Sequence, residues 1–170
     1  MSEIKDEDIK NILFQISKEI ILPKYQKLNL EDIKSKNNGD LVTSVDIDVE
    51  DRLKIELLKL LPNSLFVGEE TFFHSPKIIE NYNKKNFCWT VDPIDGTTNF
   101  VKGKEKFAIM IALTFKEKII QSWIYKPLTE EFSYAKLGEG AFIDGLKVIN
   151  IKEFNVSNSI GSISSKYWDE

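Results

Sequence analysis

The chain holds one cysteine, Cys88, and one histidine, His74, among 170 residues. A single cysteine excludes an intrachain disulfide and a cysteine-based zinc site. Cys88 lies between Phe87 and Trp89 in an apolar stretch, where a thiol reads as a small buried side chain rather than a nucleophile. His74 falls in Thr71-Phe72-Phe73-His74-Ser75-Pro76, which reads as a loop with a solvated imidazole. No apolar run approaches the roughly 20 residues that a transmembrane helix needs, and Met1 to Asp6 lacks the basic-then-apolar order of a signal peptide. A soluble, cytoplasmic protein without a membrane partner is expected. Excess positive charge is also missing: 23 Lys and Arg stand against 27 Asp and Glu, which argues against a nucleic-acid groove. Nearly all the basic residues are lysines, a compositional bias without functional content.

What is present suits one domain with a proper core. Ile9, Ile12, Leu13, Ile16 and Ile20 recur at helical spacing and mark a first amphipathic helix, with Ser2 or Asp6 near its start and Pro23 near its last turns. The polar segment Lys34 to Asp40 reads as a loop whose Asn-Gly pair suits a turn. A second helix then puts Val49, Leu53, Leu57, Leu60 and Leu61 on one face and stops at Pro62. Thr43, Ser44 and Asp46 fall at its N-terminus, where hydroxyls and carboxylates cap free amides. Downstream the period becomes alternating. Phe107, Ile109, Ile111 and Leu113 interleave with Ala108, Met110, Ala112 and Thr114, and hairpins follow to Ile143 and the Asp144-Gly145 turn. Helices grouped ahead of hairpin-linked strands predict an α+β fold, two N-terminal helices packed on a mainly antiparallel sheet.

Two acidic clusters carry the chemistry. Gly68-Glu69-Glu70 follows the apolar run Leu65-Phe66-Val67, and Trp89-Thr90-Val91-Asp92-Pro93-Ile94-Asp95-Gly96-Thr97-Thr98-Asn99-Phe100 ends another. Both clusters are expected at strand ends, with Asp92 and Asp95 aimed at one cavity. Carboxylates gathered without Arg or His repel one another unless a cation compensates them. An all-oxygen set favours Mg²⁺, Mn²⁺ or Ca²⁺. Gly96 to Asn99 has the composition of a helix start, where free amides accept a phosphate. Taken singly, each element has an ordinary explanation: a solvated turn, a surface Glu pair, a helix cap at Asp46. Their combination points to a metal and phosphate site.

In these motifs, together with Asp40-Leu41-Val42-Thr43 and Asp46, the chain resembles the inositol monophosphatase family of Mg²⁺-dependent, lithium-sensitive phosphatases. The resemblance runs from the first helix to Gly140-Ala141-Phe142. It implies the N-terminal part of a layered αβαβα fold. It also implies that Glu69, Asp92 and the Ile94 carbonyl hold an activating metal and that Asp92 and Asp95 contribute to a second. Asp46 and Thr97 would orient the attacking water, the Gly96 and Thr97 amides would hold the phosphate, and Glu70 would steady its neighbour. A lysine of the site corresponds to Lys34 or Lys36. The implied reaction is direct hydrolysis of a small phosphorylated substrate, inositol monophosphate or a related polyol or sugar phosphate, with no covalent enzyme intermediate. Relatives of this kind run about a hundred residues further, so residues 1–150 read as the metal and phosphate domain and 151–170 as the start of a C-terminal portion. Trp168-Asp169 lacks the Ala-Ala-Gly continuation of the family's later aspartate motif, so Asp169 is not assigned as a ligand. Two alternatives follow: a non-catalytic remnant that binds metal or phosphate, and one half of a split phosphatase completed by another chain. The implied partners are a second copy in a homodimer or a complementing C-terminal half.

Overall fold

The computed structural model describes residues 4–36 and 39–149. Helix α1 (Asp6–Ile16) runs through one π-helical turn (Ser17–Ile21) into the short α2 (Leu22–Lys24). Its apolar stripe is buried at Ile9, Leu13, Ile16 and Ile21. Pro23 is tolerated within the first residues of α2, and the chain leaves helical geometry at Tyr25. Strands β1 (Ile33–Ser35) and β2 (Leu41–Thr43) form a small antiparallel hairpin that leads into α3 (Ser44–Leu60). Thr43 caps α3 as expected, and Val45, Val49, Leu53 and Leu57 are buried along one face.

A seven-stranded sheet follows in sequence order: β3 (Leu65–Gly68), β4 (Phe87–Asp95), β5 (Ala108–Phe115), β6 (Lys118–Lys126), β7 (Glu131–Lys136), β8 (Gly140–Ile143) and β9 (Leu146–Lys147). All its pairings are antiparallel except that of β3 with β4. The first and third helices lie on one face of the sheet, which presents Trp89, Val91, Ile109, Ile111, Leu113, Trp123 and Tyr125 to them. Cross-strand register aligns these side chains in rows, Val91 with Ile111 and Ile111 with Trp123. Two indole N–H groups find partners at the rim of this core: Trp123 donates to Asp6 at 2.8 Å and Trp89 to Ser64 at 3.0 Å. The α+β expectation therefore holds. Cys88 is buried as expected, and burial pushes its thiol up to about 11.

Two local expectations need correction. Thr71 to His74 is not a loop. It belongs to helix α4 (Glu69–His74), with His74 exposed against the Phe73 ring. Lys34 and Ser35 are strand residues of β1 rather than loop. A 3₁₀ segment (Pro76–Asn83) returns the chain to β4. The portion expected at 151–170, with Trp168 and Asp169, lies outside the described residues. No helix among the described residues is long and apolar enough to cross a membrane.

Candidate active site

The parallel pairing of β3 with β4 sets Gly68 beside Val91, so Glu69 arrives next to Asp92 although far from it in sequence. The two aspartates present a parity problem. Residues three apart in a regular strand face opposite sides of the sheet. Here the register slips between Asp92, opposite Met110, and Asp95, opposite Ala108, which places one extra residue in β4. That bulge falls at Pro93-Ile94, where proline offers no N–H to the ladder. Both carboxylates consequently line one cleft of about 340 Å³, together with Asp40, Glu69, Ile94, Gly96 and Thr97.

Gly96 closes β4 and opens the short helix α5 (Thr97–Val101). Its φ is +88°, and a Cβ there would stand 2.8 Å from the Lys106 carbonyl oxygen, so glycine is required on both counts. The Thr97 hydroxyl lies 3.0 Å from Asp46 Oδ1 and 3.0 Å from the Ile94 carbonyl, and its single proton can serve one of them at a time.

Asp46 does two things at once. Its Oδ2 accepts from the Thr43 amide at 2.8 Å and the Thr43 hydroxyl at 2.5 Å, which completes the capping box of α3, while Oδ1 faces Thr97. The capping explanation of Asp46 and its site assignment are thus compatible. Burial raises its carboxyl above the usual range, against the lowering effect of the Thr43 and Thr97 hydrogen bonds.

Glu69 and Glu70 open α4, and both carboxylates accept from Lys36 Nζ at 2.7 Å. Of the two candidate lysines, Lys36 is the one that meets these carboxylates, while Lys34 is an exposed residue of β1. Burial lowers the Lys36 ammonium, but hydrogen bonds and charge from Glu69 and Glu70 outweigh it, and the net shift is upward. Burial raises Glu70, which Lys36 partly offsets. Glu70 is buried with its side chain committed to Lys36, whereas Glu69 is partly exposed and reaches the cleft.

Sequence reasoning missed Glu50. Its buried carboxylate accepts from the Glu70 amide at 2.7 Å, the Thr71 amide at 2.8 Å and the Thr71 hydroxyl. The available signal was its spacing: Asp46 and Glu50 share one face of α3, four residues apart.

Among the described residues no three His, Cys, Asp or Glu side chains stand converged as a finished metal-ligand cluster. The donor set nevertheless fits a hard cation. Asp92 Oδ1 is buried and has no hydrogen-bond partner, an orphaned carboxyl oxygen that protein groups leave unsatisfied. Burial, then the neighbouring charges of Glu69 and Asp95, push the Asp92 carboxyl up to about 8. Oxygen donors with no nitrogen or sulfur among them suit Mg²⁺ or a similar ion. Beside the polar cleft lies an apolar one of about 310 Å³, lined by Val67, Phe72, Ile79 and Tyr82 and sharing Glu69 and Asp92 as its border.

Comparison with known proteins points to one family. Residues 5–168 match the profile of the inositol monophosphatase family. An inositol monophosphatase of Dictyostelium discoideum is 34% identical over 148 residues, which span 87% of this chain and 53% of the relative. The Nus factor SuhB of Pseudomonas aeruginosa is 31% identical over 131 residues, 76% of this chain and 46% of that protein. Among solved structures, inositol monophosphatase II of Staphylococcus aureus superposes with a TM-score of 0.67 at 31% identity, over 88% of this chain and 51% of its own. An IMPase of Thermotoga maritima shares the fold, with a TM-score of 0.73 at 24% identity over 86% of this chain and 53% of its own. The chain thus spans about half the length of the relatives it matches.

Proposed function

The chain belongs to the inositol monophosphatase family, and from that premise we propose that it serves a phosphomonoesterase acting on inositol monophosphate or a related small polyol or sugar phosphate. The observation that carries this reading is the orphaned Asp92 Oδ1, set beside Glu69 and Asp95 in a cleft that Thr97 also lines, with the buried Asp46 bonded to Thr97. Mg²⁺ is the proposed cofactor, with Glu69, Asp92, Asp95 and the Ile94 carbonyl as its protein donors. When bound, it supplies positive charge that compensates the carboxylates and polarises phosphate and water.

The chain's own residues perform the remaining work. Thr97 donates its proton to Asp46 Oδ1, which leaves its oxygen lone pairs free to accept from a water in the cleft and so orient it. Asp46 is held in place by Thr43, so the pair is fixed before substrate arrives. The Gly96 and Thr97 amides at the start of α5 are the proposed phosphate contacts. The water oxygen bonds to phosphorus as the ester P–O bond breaks, one water proton staying on the orthophosphate and the other passing to the departing oxygen to give the free alcohol. Glu70 does not reach the cleft and acts by fixing Lys36.

The test is phosphate release from a panel of small phosphomonoesters, inositol 1-phosphate among them, with Mg²⁺ or with EDTA. Mg²⁺-dependent release that is lost in Asp92→Asn is expected. Absence of any such release from the parent chain overturns the proposal.

A further inference from the structure

Glu50 takes no part in the chemistry proposed above, yet the structure is built around its carboxylate. It is 3% exposed. One oxygen accepts from the Glu70 amide and the other from the Thr71 amide and hydroxyl, so three donors of one turn converge on a single side chain. Gly68, the last residue of β3, is glycine for the same reason: a Cβ there would fall on the Glu50 carboxylate. Strand end, carboxylate and turn are therefore interlocked.

The residue between these contacts is Glu69. Its backbone has Gly68 before it and the Glu50-bound Glu70 amide after it, while its side chain accepts from Lys36 Nζ at 2.7 Å. We propose that Glu50 is a positioning residue of the cation site: by fixing the Glu69-Glu70-Thr71 turn it aims the Glu69 carboxylate into the cleft beside Asp92, and it sets cation affinity without touching the cation. This inference rests on the metal reading above. Groups that hold a ligand from behind commonly govern affinity almost as strongly as the ligand itself, because a carboxylate free to turn must be ordered when the ion binds.

A purely structural role would lower stability and leave affinity alone. The two are separated by titrating the full chain with Mn²⁺ alone, reading the free ion by its electron paramagnetic resonance signal, with circular dichroism to check folding. Glu50→Gln keeps the size but offers one acceptor oxygen where three donors need two. It is expected to weaken Mn²⁺ binding by about tenfold or more while the chain remains folded. Placed on Glu69→Gln, the same change should alter affinity by less than about twofold, since the residue it acts through is already disabled. Thr71→Val removes one donor and should give a smaller loss in the same direction, and it carries the test if Glu50→Gln does not fold. Parent-like affinity in the folded variant overturns the proposal, as do equal losses with and without Glu69. A parent chain that binds no Mn²⁺ overturns the metal reading and this inference with it, whereas binding by the parent with no effect at Glu50 overturns this inference alone.

Discussion

Thr97 Oγ1 stands 3.0 Å from Asp46 Oδ1 across an interval of 51 residues, so the first residue of α5 is tied to the N-terminal turn of α3. That bond separates two functions of Asp46, since its other oxygen serves the helix cap. Thr97→Val should reduce phosphate release by about 10² or more, as misplacing the attacking water does, and should cost about 1–3 kcal/mol of stability because Asp46 Oδ1 is left buried without its partner. Thr43→Ala removes the cap hydroxyl instead and should cost about 0.5–2 kcal/mol of stability. Parallel assays of release and thermal unfolding decide the matter, and a Thr97→Val chain with parent-like turnover contradicts the assignment.

Asp92 makes a pH prediction. Its folded carboxyl is pushed up to about 8 from 3.8, so the metal-free folded state binds a proton that the unfolded chain has released. Stability must then fall as pH rises between those values. In EDTA, the stability of the parent relative to Asp92→Asn should decline between pH 5 and 8, and Mg²⁺ should abolish the decline. Thermal unfolding at several pH values measures it. A relative stability that rises with pH would have the wrong sign.

Lys36 pairs with two carboxylates, one of them as buried as itself: its side chain and that of Glu70 are both 6% exposed. Lys36→Met leaves Glu70 buried without a counter-charge, which should cost about 3–5 kcal/mol. Adding Glu70→Gln should restore much of that loss, because the stranded charge is gone. Urea denaturation of the single and double variants provides the comparison, and a double variant no more stable than Lys36→Met would refute the pairing.

Gly96 and Gly138 have nearly the same φ, +88° and +86°, but a Cβ at Gly96 meets the Lys106 carbonyl oxygen while one at Gly138 meets nothing within 4 Å. Alanine at Gly138 should cost about 1 kcal/mol for the left-handed backbone alone. Alanine at Gly96 should cost more, about 1–3 kcal/mol in addition, as overpacking does. Chemical denaturation of both variants tests whether steric exclusion, and not φ alone, selects glycine at the cleft.

Much of this architecture is legible in the chain because it is periodic. The stripe of α1, the buried face of α3 and the alternation of β5 follow from side-chain spacing that burial then rewards. The acidic pair Asp92 and Asp95 was legible by composition. Features set by contacts between distant segments were not. Lys34 and Lys36 are two apart and would share one face of a strand, so the choice of Lys36 depends on where β1 ends relative to Glu69 and Glu70. Helix α4 has only six residues and no apolar period, and its first turn is held by Glu50 from another element. The parallel pairing that brings Glu69 to Asp92 likewise leaves no mark on either strand alone.

The bulge at Pro93-Ile94 makes the site a matter of counting rather than of side-chain identity. Removing one residue between the aspartates would leave a smoother strand with both carboxylates still on one face, two residues apart, yet the bulged backbone that carries the Ile94 carbonyl toward Thr97 would be gone. Random deletions should therefore be far more damaging in this segment than random substitutions at Ile94, whose contribution to the cleft includes its backbone. Length polymorphism here would strike the ligand set while composition stayed the same, so a search for degenerate copies of this site should ask how many residues separate the two aspartates before asking what they are.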